Sequence, residues 1–571
     1  LPNLQPLRLG TLPPSDAREL LRKIAPSISE AEARRLAELC DNLPLALTLA
    51  GSAIAAHPDL TPTEYAKLLQ DEQRRLDLVE ASLTLSYNLL DETLQQRWRM
   101  LAVFPATFDR LATAAVWDVD IENEAKVYKA ADILSTLVRY SLVEWLEAEG
   151  RYRLHDLARL FASARLVDNE RDTAQSRHAA HFHNVLAAAD QFYLRGGEGV
   201  LQGLALFDAE WPNIQAGQAW AASHAARDDT AARLCSRYPD AGAYVLDLRQ
   251  HSRERISWSE SALAAARQLG DRNTEGVTLG SLGLAYADLG EVRQAIDYYE
   301  EALVVLREIG DRRGEGVVLG SLGLVYADLG EVRQAIDYYQ QRLAIAREIG
   351  DRRGEGNALG NLGSAYFRLG EARQAIDYYQ QDLAIRREIG DRRGEGNALG
   401  NLGLAYADLG DVRQAIDYYE QQLKIVRQIG DRRGEGNALG NLGLAYANLG
   451  EVRQAIDYYE QALVIAREVG DRRGEGADLG NLGNAYANLG EVRQAIGYYQ
   501  QVLEIAREIG DRRSEGNALI NMSLALDSLG ERQQAIPFAE AALHIYEQIE
   551  DPNAETVRHQ LAEWRGEEPP S

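Results

Sequence analysis

Three histidines, His178, His181 and His183, fall close together in a stretch that reads as one helix. Imidazole nitrogens are common zinc ligands, but no cysteine or carboxylate stands at ligand spacing to complete a site, so the three read as packing residues and no metal is expected. No Ser-His-Asp or Cys-His arrangement can be recovered from spacing. Phosphoryl chemistry needs a Gly-x-x-x-x-Gly-Lys-Ser/Thr loop to cradle phosphates, and no Gly-Lys pair occurs anywhere in the chain. No apolar strand ending in paired aspartates is present to hold Mg²⁺. The recurring Gly-Asp-Arg-Arg-Gly-Glu turns read as charged loops, with nothing arranged as a phosphate cradle. The chain by itself is therefore expected to have no catalytic residues and not to be an enzyme.

The elements behind these residues are dominated by a repeat. The segment Gly-Asn-Leu-Gly-Leu-Ala-Tyr-Ala-Asp-Leu-Gly at 400–410 recurs every forty residues, giving units that begin at 271, 311, 351, 391, 431, 471 and 511. A degenerate copy occupies 231–270, where Ile256, Trp258, Ala262 and Leu263 fall in register with Ile296, Tyr298, Ala302 and Leu303. Each unit reads as two helices. In 391–430, Leu399, Leu402, Ala405 and Tyr406 form one apolar stripe, and Gly410 ends that helix. Val412, Ala415, Ile416, Tyr419, Leu423 and Ile425 form the second stripe, and Gly430-Asp431 breaks the chain and caps the next helix. Small residues at Gly403 and Ala415 are expected to let the paired helices approach closely. One hairpin cannot bury its stripe alone, so neighbours must stack.

Two series of positions vary while the rest of the unit stays nearly fixed. Positions 302, 342, 382, 422, 462, 502 and 542 read Ala, Arg, Asp, Gln, Ala, Val, Ala, and the series from 304 to 544 reads Val, Ala, Ala, Lys, Val, Glu, His. Selection for a ligand and drift on a solvated face fit this pattern equally.

Bulk properties narrow the classes. Net charge is −26, which opposes non-specific binding to phosphate backbones. No apolar run approaches the roughly 20 residues that span a bilayer, and the first residues show no signal-peptide pattern. Two cysteines, Cys40 and Cys235, cannot form a disulfide framework and read as buried apolar residues. A cytoplasmic location and no membrane partner are expected.

The pattern Gly283, Tyr286, Ala295 and Tyr299 resembles the tetratricopeptide repeat, and the forty-residue period is similar to the longer-helix variant of kinesin light chains and Pins-type adaptors. The resemblance covers about 271–550. It implies an all-α fold, a right-handed superhelical solenoid whose first helices line a concave face that holds a peptide. The matching inward positions are 357, 364, 367 and 368 and their equivalents. Asn357, Asn397, Asn437 and Asn517 would offer amides to an extended backbone, with Ser364, Phe367, Arg368 and Asn484 beside them. Leu284, Leu324, Leu404 and Leu444 stand where the Pins-like family has asparagine. A second asparagine series, Asn361, Asn401, Asn441, Asn481 and Asn521, reads rather as a tie between adjacent repeats.

Residues 1–170 lack the repeat. Leu7-Arg8-Leu9 reads as a short strand leading into a helix near 15–24. Asn42-Leu43-Pro44-Leu45-Ala46-Leu47 follows an amphipathic helix, Leu101-Ala102-Val103-Phe104-Pro105 comes later, and 141–155 alternates as a hairpin around Glu149-Gly150 before Leu154-His155-Asp156. These three ordered motifs resemble the helical and winged-helix modules of STAND ATPases of the NB-ARC type. The resemblance implies that Pro44 packs on adenine and that His155 contacts the β-phosphate of ADP, holding a closed state. Asn42 replaces the family's glycine and Leu154 its methionine. The expected organisation is a helical module at 1–75, a winged helix at 76–170, a helical bridge at 171–230, the solenoid at 231–550 and a tail at 551–571.

Since the P-loop core is absent and Leu1 falls in what reads as mid-domain, the chain is expected to be the regulatory part of a longer switch. ADP or ATP would bind the parent, with none expected on this piece alone. Partners would be a protein or peptide inducer and an upstream P-loop domain of the same chain, with oligomerisation only on activation. A passive scaffold is the alternative. DNA reading by the winged helix is disfavoured by Asp118, Asp120, Glu122, Glu124, Glu144, Glu147 and Glu149 around it.

Overall fold

The computed structural model describes residues 11–57, 59–73 and 78–566. The strand expected at 7–9 lies outside the described residues. Among the described residues the protein is all-α apart from one small hairpin, and it forms two compact units, residues 1–305 and 306–571.

In the first unit, helices Pro14–Ile24, Glu30–Leu39, Pro44–Ala56, Pro62–Gln73 and Leu78–Asn88 enclose a core that includes Leu21, Leu36, Leu47 and Tyr65, each at most 1 % exposed. A capping box starts the second of these, with Ser29 and Glu32 satisfying each other's backbone N–H. Helices Glu92–Met100, Arg110–Val116 and Glu124–Arg139 follow, then strands β1 (Glu144–Leu146) and β2 (Arg151–Arg153), paired antiparallel as the sequence predicts, with Gly150 at φ 64° in the turn. Phe108 extends the hairpin: its N–H donates to Tyr152 O at 2.9 Å, and Tyr152 N–H donates to Phe108 O at 2.8 Å. Helix Asp156–Arg165 leads into two 27-residue helices, Asp168–Leu194 and Glu198–His224.

One apolar core runs from Trp98, Phe104 and Phe108 through Phe182 and Ile214 to Tyr238 and Trp258. A polar network crosses it. Arg151 pairs with Glu210 at 2.7 Å, and Asn213 Nδ2 donates to Glu210 Oε2 and to Thr107 O, each at 2.9 Å. His178 is buried against Phe104 and Phe182, and burial pushes its pKa down to about 3, so it stays neutral in the folded protein. The degenerate repeat keeps the paired-helix plan, but its first half is split into Asp229–Ala241 and Ala243–Arg249 before Ser252–Leu269.

The second unit is a stack of helix pairs, the third of which is Arg392–Asp408 with Val412–Ile429. Gly430 adopts φ 71°, and Asp431 accepts the Gly434 N–H at 2.9 Å, so the Gly-Asp step both stops one helix and caps the next. A Cβ at Gly403 would lie 2.6 Å from Tyr419 Cδ1, and Ala415 is fully buried, so the small residues set the interhelix distance. The charged turns make an ion-pair lattice. Glu435, 7 % exposed, receives Arg427 at 2.7 Å from the preceding helix and also binds Arg432, which reaches on to Glu468 in the following helix. The same clamp recurs at Glu315, Glu355 and Glu475. Residues 551–571, read as a tail, include a further helix, Asn553–Arg565, whose Val557, Leu561 and Trp564 cover the last repeat.

Candidate functional site

The first helices of three successive units present one face each to a cavity of about 630 Å³. Spacings of four and three residues put Asn397, Asn401 and Leu404 on one side of Arg392–Asp408, and Asn437, Asn441 and Leu444 on the same side of Arg432–Asn448. Asp478 and Asn481 come from Arg472–Asn488, and Gln422, Ile465 and Val469 from the second helices close the floor.

The expected groove residues divide sharply. Asn397 and Asn437 line the cavity and are exposed. Asn357 is committed elsewhere, accepting from Arg386 Nη2 at 2.7 Å. Asn517 accepts from the Tyr546 hydroxyl at 2.7 Å and Asn484 from the Tyr499 hydroxyl at 2.8 Å. Ser364 donates to Gly360 O and accepts from Tyr379, both at 3.1 Å, and Arg368 donates to Ala327 O at 2.9 Å. Phe367 is half-buried against the repeat core. The second asparagine series corrects the sequence reading. Asn401, Asn441 and Asn481 make no side-chain hydrogen bond among the described residues and stand on the cavity wall rather than joining repeats.

The two variable series also separate. Positions of the 304 series are on the surface, with Val304 57 % and Val464 64 % exposed, so drift there needs no further cause. The 302 series faces inward: Asp382 is 5 % and Gln422 8 % exposed, which excludes a solvated face for those two. Asp382 is paired with Arg386 at 2.8 Å, and Arg386 also reaches Asp391 at 2.8 Å. Sequence reasoning missed both Arg386 and Asp478, although each breaks the repeat. Asp478 stands where other units carry Ala358, Ala398, Ala438 and Ala518. Burial, with Asp471 adding to it, pushes the Asp478 carboxyl up to about 7.

In the first unit, Pro44 occupies the first turn of its helix, half-buried. Asn42 has φ 53°, a left-handed conformation natural to glycine and tolerated by asparagine, so its replacement of glycine keeps the turn. Leu154 is 4 % exposed, and an apolar leucine serves that buried place as methionine would. His155 caps helix Asp156–Arg165: the Leu157 N–H donates to its Nδ1 at 3.3 Å.

Residues 314–388, 394–468 and 477–548 match the tetratricopeptide-repeat family, as do 278–313. The chain is 35 % identical over 205 residues to the regulatory protein AfsR of Streptomyces coelicolor, a match that covers 34 % of this chain and 20 % of that protein. It is 28 % identical over 261 residues to a putative HTH-type transcriptional regulator of Mycobacterium tuberculosis, covering 42 % of this chain and 28 % of the relative. The chain thus spans between a fifth and a third of the length of these curated relatives. Among solved structures, a STAND protein with a tetratricopeptide-repeat sensor from Pyrococcus horikoshii superposes with TM-score 0.63 and 17 % identity, over 97 % of this chain and 75 % of that one. Residues 278–548 are tetratricopeptide repeats, and the chain that carries them is similar in sequence to AfsR-type regulators and in fold to a STAND protein.

Proposed function

We propose that this chain is the sensor and regulatory part of a STAND-type signalling ATPase, in which the repeats bind a protein or peptide inducer and the N-terminal modules hold ADP in the resting state. The observation that carries the reading is the cavity at 397–481, where asparagine amides from three successive helices remain without hydrogen bonds of their own. Amides in such a row suit the alternating donors and acceptors of an extended peptide. The order helix, Phe108 bridge, two helices and hairpin supports a winged helix over 76–170, preceded by a helical module at 1–75.

Pro44 and His155 are the residues that would hold ADP. When His155 Nδ1 accepts a backbone N–H, the proton of the neutral ring lies on Nε2, which can then donate to a phosphate oxygen at the head of a helix. Pro44 offers an apolar face suited to a purine. Bound ADP would supply the link that keeps the modules closed. Inducer binding would favour the open state only to the extent that it binds that state more tightly.

His155→Ala in the full-length protein is expected to speed ADP release roughly tenfold or more, the loss of one hydrogen bond to a charged group. Release measured with a fluorescent ADP analogue checks this, and an unchanged rate would remove His155 from the switch. If partner binding is indifferent to nucleotide, the repeats act as a passive scaffold. Among the described residues no helix is long and apolar enough to cross a membrane.

A further inference from the structure

Two departures from the repeat, in units two apart, converge on the same cavity. The unit 471–510 reads Gly-Ala-Asp-Leu where 391–430 and 431–470 read Gly-Asn-Ala-Leu, which puts Asp478 in the wall. The unit 391–430 alone has glutamine in the 302 series, which puts Gln422 in the floor. Both side chains are buried, Asp478 at 9 % exposure and Gln422 at 8 %. Asp478 has no hydrogen bond or ion pair among the described residues, and its Oδ1 lies 3.5 Å from where a Cβ on Gly440 would be. Gln422 Oε1 is buried without a hydrogen-bond partner. Gly400 leaves room for the rest of the amide, since a Cβ there would lie 2.6 Å from Gln422 Nε2.

Unmatched buried polar groups are costly, and a native protein keeps them where something else satisfies them. Gln422 Oε1 is an unmatched buried acceptor, so its missing partner is a donor, and the Asp478 carboxyl, once ionised, favours a donor with positive charge. A metal ion does not fit. Asp471, the other acid in the wall, is committed to capping the Gly474 N–H at 2.9 Å, and the described residues hold no group of three His, Cys, Asp or Glu that could bind one. The remaining charge in the wall is Arg433, which is exposed at the start of its helix.

We propose that the cavity seats a lysine or arginine side chain of an extended peptide, with Asp478 as its counter-ion and Gln422 Oε1 as an acceptor for the same peptide one repeat away, beside Gly400 rather than Gly440. The assignment rests on the peptide-groove reading above and gives it a specificity. Leu404, Leu444 and Val469 flank the aliphatic stem, and Asn401, Asn441 and Asn481 face the peptide backbone. Burial, with Asp471 adding to it, raises the Asp478 carboxyl to about 7, so an incoming cation would favour its ionised form.

The test is selection of binders to the full chain from a displayed library of random dodecapeptides, with affinities measured on the synthetic peptides. Binders are expected to share a lysine or arginine. Its replacement by norleucine, or Asp478→Ala in the protein, should each weaken binding ~10-fold or more, with little further loss when combined. Asp478→Ala restores the residue most other units carry, and Asp478→Asn provides a second variant of the same shape. Glu504→Gln, which removes an exposed charge in the same unit, should leave affinity unchanged and so separates local pairing from the general attraction of an acidic protein. Binders that show no basic preference, or that keep full affinity for Asp478→Ala, overturn the cation pocket and leave the peptide groove standing. Failure to select any binder overturns the groove reading itself, and the pocket with it.

Discussion

Replacing Arg386 with valine is expected to destabilise the repeat that contains it by about 3–5 kcal/mol, the cost of leaving a buried charge without its partner. Arg386 is 8 % exposed and donates to Asp382 Oδ1 at 2.8 Å, Asp391 Oδ2 at 2.8 Å and Asn357 Oδ1 at 2.7 Å. Burial already holds the Asp382 carboxyl above its usual range, with Arg386 opposing it, so loss of the guanidinium leaves burial unopposed. Asp391 would keep its cap, since it still accepts from the Gly394 N–H at 2.9 Å. The damage therefore centres on Asp382. Arg386→Val with Asp382→Ala installs two apolar residue types that other units carry singly, at Val426 and at Ala462, and this double variant is expected to be at least as stable as the parent. Hydrogen exchange over 351–390 reads the local change in a stacked array, where a single global unfolding energy is not defined. Equal protection in the single variant and the parent would show that the ion pair carries no stability.

Asp478→Ala is expected to act in the opposite direction and to stabilise its repeat, by on the order of 2–4 kcal/mol above neutral pH, from a displacement of about three pKa units. The ordinary aspartate loses its proton near pH 4, whereas burial with Asp471 nearby holds Asp478 to about 7. Between those values the folded state binds more protons than the unfolded one, so stability falls as pH rises through this window and stays low above it. The alanine variant lacks that slope. Its advantage should be smallest near pH 4 and full by about pH 8, read as hydrogen exchange or melting at both pH values. A constant advantage across the range would mean that Asp478 titrates normally.

The two cases mark where the sequence could be read and where it could not. Leu402, Ala405, Tyr406 and Gly410 recur in register, and period alone is enough to give the helix pairs and the turns between them. The hairpin at Glu149-Gly150 was visible because alternation and a turn residue coincide. The Phe108–Tyr152 pairing was not, since a single bridging residue leaves no alternation. Helix Asn553–Arg565 has no counterpart to repeat against, which is why its stretch read as a tail.

Groove residues were half legible. A spacing argument puts Asn397 and Asn437 on the right helix face, but it cannot say that Asn357 belongs to Arg386, because that partner lies on another helix at a position elsewhere filled by Val426 or Ala466. The signal that finds Arg386, Gln422 and Asp478 is departure from the repeat combined with burial, and only the first half of that is in the sequence. The ion-pair lattice at Glu355 and Glu435 was likewise present as spacing, eight residues after one arginine and three after the next, but its meaning depends on how the turns fold.

The central claim is that occupancy of the repeat groove controls nucleotide held by the N-terminal modules. The most direct test is the release rate of a fluorescent ADP analogue from the full-length protein that carries this chain, with and without a saturating dodecapeptide selected on the groove. Release that accelerates with the peptide, and fails to do so when Asn397→Ala and Asn437→Ala abolish peptide binding, is the predicted result. Peptide that binds the groove while ADP leaves at an unchanged rate would contradict the account and leave the repeats as a scaffold.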